Sequence, residues 1–174
     1  MKNKSDIQVQ DAGVESLHIS EGAGVLLIVH NHVLLVQMNY GKFKGQWILP
    51  GGLVEETEHP HMAAVRECFE ETGLRVELRS LLAVRHRIFK NGNKNIYYVF
   101  EAHTGETPLS TPFNWDRGEL LDVRFWPVSE ALTNSKVRDQ TKHYISLGLG
   151  GNSSQLFMES LVGSNDDYCY VGVL

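Results

Sequence analysis

The chain has 174 residues, 42% of them hydrophobic, enough for one domain with a buried core and too few for two of ordinary size. Its 16 Lys+Arg against 21 Asp+Glu leave a formal net charge of −5, the wrong sign for a protein that lives by neutralising nucleic-acid phosphates. Two cysteines, Cys68 and Cys169, cannot build a disulfide framework, and no apolar run approaches the roughly 18 residues of a membrane span. Met1 to Ser20 is polar and lacks a signal-peptide core. The expectation is a cytoplasmic protein with neither bulk nucleic acid nor membrane as partner.

In chain order, residues 1–20 read as an arm. Gly24 to Val29 and Val33 to Val36 are β-branched-rich runs split by His30-Asn31-His32, a hairpin signature. Asn39 to Gly45 is a glycine-punctuated loop with two lysines, followed by Trp47-Ile-Leu-Pro-Gly-Gly52. Pro60 to Thr72 has helical composition, with Pro60 suited to the first turn and Gly73 to the position just past the end. Leu74 to Ile88 and Asn95 to His103 are strand candidates about the polar turn Lys90 to Lys94. Thr104 to Gly118 reads as a long loop and Leu120 to Val128 as another strand. Ser129 is placed to cap a short helix, and a second helix is expected over Ser135 to Ile145. Strands, helix, strands, helix predict an α+β domain, helices packed on a mixed sheet. The domain is expected over residues 21–146. From Leu147, glycines and serines resemble a linker, and residues 155–174 fit a terminal hairpin better than a short helix; such a hairpin would offer an edge for homodimerisation.

Acidic residues concentrate in one place: Glu55, Glu56, Glu58, Glu67, Glu70 and Glu71, with Glu77 just beyond. On a wheel stepped about 100° per residue, Met62, Val65, Cys68, Phe69 and Thr72 form the expected core face, with Glu67, Glu70 and Glu71 opposite. Like charges at i,i+3 and i,i+4 repel, so a helix selected for stability would intersperse lysines there, and this one has none. Three carboxylates on one turn suit hard divalent cations, which take oxygen ligands and complete their shells with phosphate. Upstream, Gly51-Gly52 lets the backbone approach a ligand closely.

Read together, Gly52, Glu58, Arg66-Glu67-Cys68-Phe69-Glu70-Glu71-Thr72-Gly73-Leu74 resembles the Nudix box of the Nudix (MutT-like) hydrolases. Every fixed position of the pattern is filled, and Cys68 replaces an aliphatic residue. The resemblance covers roughly residues 20–145 and implies an α/β/α sandwich with a mixed sheet. It implies hydrolysis of a nucleoside diphosphate linked to another moiety, with Mg2+ or Mn2+ as cofactor and a small nucleotide-type molecule as substrate. Carried over by position, Glu67, Glu70 and Glu71 with the Gly51 carbonyl would hold the metal, and Arg66 and Glu58 would pair to fix the loop–helix–loop. Glu70, Glu71 and, from the later loop, Glu119 are the candidates for general base. Neither the proline expected sixteen positions after Leu74 in ADP-ribose hydrolases (Lys90 stands there) nor the tyrosine of dinucleoside polyphosphate hydrolases is present.

Arg85 and Arg87 on a strand, with Lys44 from the loop, are candidates for binding phosphate, and Trp47 for stacking on a base. Three other readings are weaker. The pairs His30/His32 and His59/His61 lack the partners of a zinc site. A ligand-sensing module without chemistry has no need for the full acidic set. An isoprenoid diphosphate isomerase on the same fold needs a catalytic cysteine, for which neither Cys68 nor Cys169 is well placed.

Overall fold

The computed structural model describes residues 18–105, 112–150, 156–160 and 167–172. Strand β1 (Ile19–Val29) turns into β2 (His32–Met38) through His30 and Asn31, whose φ angles of 47° and 61° are the left-handed pair that a two-residue hairpin turn requires. β1 starts five residues before the apolar run because it pairs in parallel with β6 (Lys94–His103), from Ile19↔Lys94 to Leu27↔Ala102. The remaining pairs are antiparallel: β3 (Trp47–Ile48) and β7 (Leu120–Pro127) on β2, β4 (Gly51–Leu53) on β1, and β5 (Glu77–Ile88) on β6. In the tail, β8 (Leu156–Ser160) and β9 (Asp167–Gly172) form the hairpin, with β9 against β5 from Ala83↔Val171 to Arg87↔Asp167. The mixed sheet runs β3-β2-β1-β6-β5-β9-β8, with β4 and β7 paired off that path. Residues 1–17 of the expected arm, residues 106–111 of the long loop and residues 151–155 lie outside the described residues.

Helix α1 (Pro60–Thr72) covers one face of the sheet over Ala23, Val25, Leu27, Leu34 and Val36; α2 (Val128–Thr133) and α3 (Asp139–Leu149) cover the other over Leu26, Val33, Leu35 and Val99. β1 and β2 are therefore buried on both faces, which is why they read as continuous apolar runs. Each fully buried aliphatic side chain stabilises the fold by roughly 1.5–3 kcal/mol.

Three expectations are corrected. Ser129 does not cap α2: the helix starts at Val128, the cap position is Pro127, and the Ser129 carbonyl accepts the Thr133 hydroxyl inside the helix. The last helix starts at Asp139 rather than Ser135, because Lys136 and Arg138 commit their backbone to β3. Trp47 N–H donates to the Lys136 carbonyl at 2.8 Å, and Arg138 N–H donates to Trp47 O at 3.2 Å. α3 then continues through Gly148, where a Cβ would stand 2.3 Å from Leu26 Cδ2, so this glycine permits close helix–sheet packing. The third correction concerns α1. Its buried residues are Ala63, Ala64, Cys68 and Thr72, while Met62 and Phe69 are 51% and 44% exposed.

Candidate functional site

The site grows from the junction of β4 and α1. Pro60 opens the helix, and Gly73 (φ 76°) closes it, its N–H donating to the Phe69 carbonyl at 2.7 Å. On the observed helix, Glu67 and Glu71 fall between the buried positions Ala63, Ala64 and Cys68 rather than opposite them. They turn toward the β4 backbone. Gly51 N–H donates to Glu71 Oε2 at 2.8 Å, and a Cβ on Gly52 would lie 2.4 Å from the Glu67 carboxyl. A Cβ on Gly51 would in turn lie 2.3 Å from the Ala23 carbonyl, at a φ of 153°. The two glycines are thus the space in which the carboxylates sit.

Arg66 ties the unit together. Its Nε and Nη2 donate to the two Glu58 oxygens at 3.0 and 2.9 Å, Nη1 donates to Glu67 Oε1 at 2.9 Å and Glu70 Oε2 at 3.1 Å, and Nη2 also reaches the Leu53 carbonyl at 3.0 Å. The planar fork matches the carboxylate in two places at once, which a lysine cannot do. The same hydrogen bonds hold the Glu58 carboxyl below its ordinary range and push the Arg66 guanidinium up.

Glu71 and Glu67 are shifted the other way. Burial pushes Glu71 up to about 8, against the opposing Gly51 N–H, and the charges of Glu67, Glu119 and Glu70 add to the shift. Burial also raises Glu67, against the pull of Arg66. No hydrogen bond falls on Glu67 Oε2, Glu70 Oε1 or Glu71 Oε1 among the described residues. A donor set of oxygens only, partly desolvated and mutually repelling, fits a hard divalent cation. Among the described residues, however, no three His, Cys, Asp or Glu side chains are gathered tightly enough to hold an ion as they stand; Arg66 draws Glu67 and Glu70 to itself, while Glu71 is held by Gly51.

A cleft of about 580 Å³ opens over these groups. It brings together Gly51, Glu67, Glu70 and Glu71, and adds Glu119 from the turn before β7 and Arg85 from β5. Glu119 is exposed, and its carbonyl accepts the Asn39 N–H at 2.9 Å, fastening that turn to the end of β2. Arg87, Lys44 and Trp47 do not line the cleft. Trp47 is a core residue, 3% exposed, packed edge-on to Trp126 at 5.2 Å, so it is not available to stack on a base. Lys44 is exposed beyond the Gly41–Phe43 turn, and Arg87 lies over the Phe89 ring. Tyr40, Phe43, Tyr97 and Tyr144 are the aromatics of the cleft, and the Tyr97 hydroxyl stands 2.7 Å from where a Gly51 Cβ would lie. Sequence reasoning missed Asn95, Arg138, Gln140 and Tyr144, which also line the cleft; they come from β6 and the start of α3, and only the tertiary fold brings them near Glu71. Cys68 is fully buried, and burial pushes its thiol up to about 12, the state of an inert thiol.

These elements define a class of protein: an α/β/α domain whose cleft is floored by a glycine turn and an acidic helix. A NUDIX domain family model matches residues 19–147, and the chain belongs to the Nudix family. It is similar to Nudix hydrolase 2 of Arabidopsis thaliana, 35% identical over 123 residues, covering 68% of this chain and 42% of that protein. It is also similar to human nucleoside diphosphate-linked moiety X motif 6, 42% identical over 132 residues, covering 74% of this chain and 40% of that one. The chain thus spans about two fifths of the length of these curated relatives. Among solved structures, a NUDIX hydrolase from Nitrosomonas europaea aligns with TM-score 0.60 at 28% identity, over 74% of this chain and 71% of that one. A Caenorhabditis elegans Ap4A hydrolase shares the fold at 15% identity and TM-score 0.60, over 75% of this chain and 95% of that one.

Proposed function

We propose that this chain hydrolyses the diphosphate anhydride of a nucleoside diphosphate linked to another moiety, with Mg2+ or Mn2+ as cofactor. The observation that carries the reading is the placement of Glu67 and Glu71 on the buried side of α1, against Gly51 and Gly52, at a cost in desolvation and repulsion. A solvated helix face would show neither feature. Glu67, Glu70 and Glu71 would hold the metal through the oxygens that Arg66 and Gly51 leave open. When bound, such an ion screens the diphosphate charge and lowers the pKa of a coordinated water.

The chain's own residues supply the rest. Arg66 fixes where Glu67 and Glu70 stand and neutralises part of their charge while the cleft is empty of substrate. Glu58 anchors Arg66 from the preceding loop. Glu119 is exposed, faces the same cleft and carries no ion pair among the described residues, which suits a base that takes a proton from the attacking water. Glu71, held protonated near neutral pH by its surroundings, must lose its proton before it can ligate. Of Gly51, the structure supplies its amide to Glu71, and its carbonyl is assigned to the metal by the family pattern alone. The buried Cys68 thiol speaks against an isomerase that relies on a cysteine.

The test is hydrolysis of a panel covering nucleoside triphosphates, ADP-ribose, nucleotide sugars and dinucleoside polyphosphates, with Mg2+ or Mn2+ and with chelator. Metal-dependent release of a nucleoside monophosphate or of pyrophosphate supports the reading; turnover unaffected by chelator, or by Glu67→Gln, overturns it. The same reading puts the activity in the cytoplasm. Among the described residues no helix is long and apolar enough to cross a membrane. β8 ends the strand order of the sheet, and pairing of that edge in a homodimer would show as a doubled mass in analytical ultracentrifugation.

A further inference from the structure

The cleft is segregated by charge. The groups that act on Glu71 are Glu67, Glu119 and Glu70, and those that act on Arg138 are Arg85, Arg87, Tyr144 and Tyr97. Among the described residues, no arginine is in the first set and no carboxylate in the second. Tyr97 lines the same cleft and feels both Glu71 and Arg85. One cavity therefore has an acidic end and a basic end.

Arg138 is the unusual member of the basic end. Its guanidinium is half-buried and packs over the Phe43 ring, 3.6 Å from the ring centroid, where the ring face attracts the cation. Lys42 Nζ lies 4.9 Å from the same ring. Among the described residues Arg138 has no ion pair, and its side chain donates no hydrogen bond. Burial and the charges of Arg85 and Arg87 hold it below its ordinary value. Its five donors are arranged for two parallel bonds to one tetrahedral or planar anion. A desolvated cation among like charges is costly unless an anion arrives to share it.

We infer that Arg138, seated on Phe43 and flanked by Arg85, binds a phosphate group of the substrate other than the anhydride under attack, so that the preferred substrates carry one phosphate beyond the diphosphate bridge. The inference rests on the proposed hydrolysis for its setting and names the substrate class within it. Arg138 acts here as a specificity-determining residue. The acidic end needs a metal between itself and an anion; the basic end meets one directly. Asn95 accepts from the Arg85 guanidinium and donates to Ser20, which holds Arg85 in place from β6.

The extra phosphate has two sources, the nucleoside or the linked group, and three ligands separate them: ADP-ribose, ADP-ribose 2′-phosphate and ADP-ribose 1″-phosphate. The expected result is a kcat/KM at least about tenfold higher for one phosphorylated form than for ADP-ribose, the scale of one charge-assisted contact. Arg138→Met should remove that margin mainly through KM, and Arg138→Lys should restore part of it. Calorimetric binding of the same three ligands without metal reads the contact even where no hydrolysis occurs. Tighter binding of a phosphorylated form, lost in Arg138→Met, with no turnover of these three ligands or of the wider panel, would refute the hydrolase reading and keep this one. Hydrolysis of all three at equal efficiency, or a margin that survives Arg138→Met in a variant with unchanged circular dichroism, would overturn the inference.

Discussion

The two ends of the cleft carry opposite charge and are compensated in opposite ways. The acidic end, Glu119 apart, is built from one contiguous segment and brings its own counter-ion: Arg66 bonds Glu58, Glu67, Glu70 and the Leu53 carbonyl together. The basic end is assembled from β5, the Gly41–Phe43 turn and the residue before α3, and Arg138 rests on an aromatic face. An ion pair fixes geometry and leaves the remaining carboxylate oxygens aimed; a ring face fixes a cation without consuming its donors. On the proposed reading, the first arrangement prepares ligands and the second keeps a receptor open.

The largest expected effect tests the acidic end as chemistry. Glu67→Gln and Glu70→Gln should each lower turnover by about 10²-fold or more, the scale of losing a positioned catalytic group, as read from initial rates under saturating Mg2+. Rates within a few-fold of the parent would reduce this end to a structural salt-bridge cluster.

Next comes the structural share of the same end. Arg66→Met removes a guanidinium that is 26% exposed and leaves Glu67 beside Glu70 without it. With allowance for solvent screening, the loss should be about 2 kcal/mol of stability in urea titrations. The corresponding loss for Arg138→Met should be smaller, since it breaks no ion pair among the described residues.

The pH dependence separates the ends further. Glu71 binds a proton more tightly in the folded state, so the metal-free fold is most stable below the ordinary carboxylate range. Stability falls as pH rises toward about 8, with a slope of at most about 1.4 kcal/mol per pH unit for one proton. Glu67 acts in the same direction. Glu58, whose carboxyl is held low, acts oppositely: its contribution is complete above the ordinary carboxylate value and fades in more acidic solution. Denaturation midpoints measured from pH 5 to 9 should therefore decline with pH in the parent and flatten in Glu71→Gln. The smallest expected effect is at the basic end. Phe43→Leu withdraws the ring beneath Arg138, worth about 0.5–1 kcal/mol, and should weaken binding of a phosphorylated ligand by about threefold in calorimetry.

These contrasts also explain what the residues betrayed in advance. Gly52, Glu58, Arg66, Glu67, Glu70, Glu71 and Gly73 were legible because the unit they build is local: a strand end, a loop and one helix, with caps at Pro60 and Gly73. The hairpin at His30-Asn31 was legible for the same reason. The face of α1 was misassigned because the wheel ranks positions by hydrophobicity, and here glycines in β4 make room for Glu67 and Glu71 on the buried side while Met62 and Phe69 turn outward. The local pattern starts α3 four residues early because the bonds between Trp47 and residues 136 and 138 join segments about 90 positions apart. Trp47 reads as a base-stacking ring from its neighbours in sequence, yet Trp126, Val137 and Tyr144 claim it for the core. Arg138 carried no local signal, since its significance comes from Phe43 and Arg85, which meet it only in the fold.

The central claim is that Glu67, Glu70 and Glu71, set on one turn of α1 against their own repulsion, converge on a divalent cation when it binds. A titration of Mn2+ at neutral pH, with free ion followed by electron paramagnetic resonance, tests it most directly. The parent and Glu77→Gln, altered at a carboxylate outside the cleft, should deplete the free-ion signal alike, and Glu67→Gln should bind at least about tenfold more weakly. Undiminished binding in Glu67→Gln, or no depletion by the parent, would contradict the account.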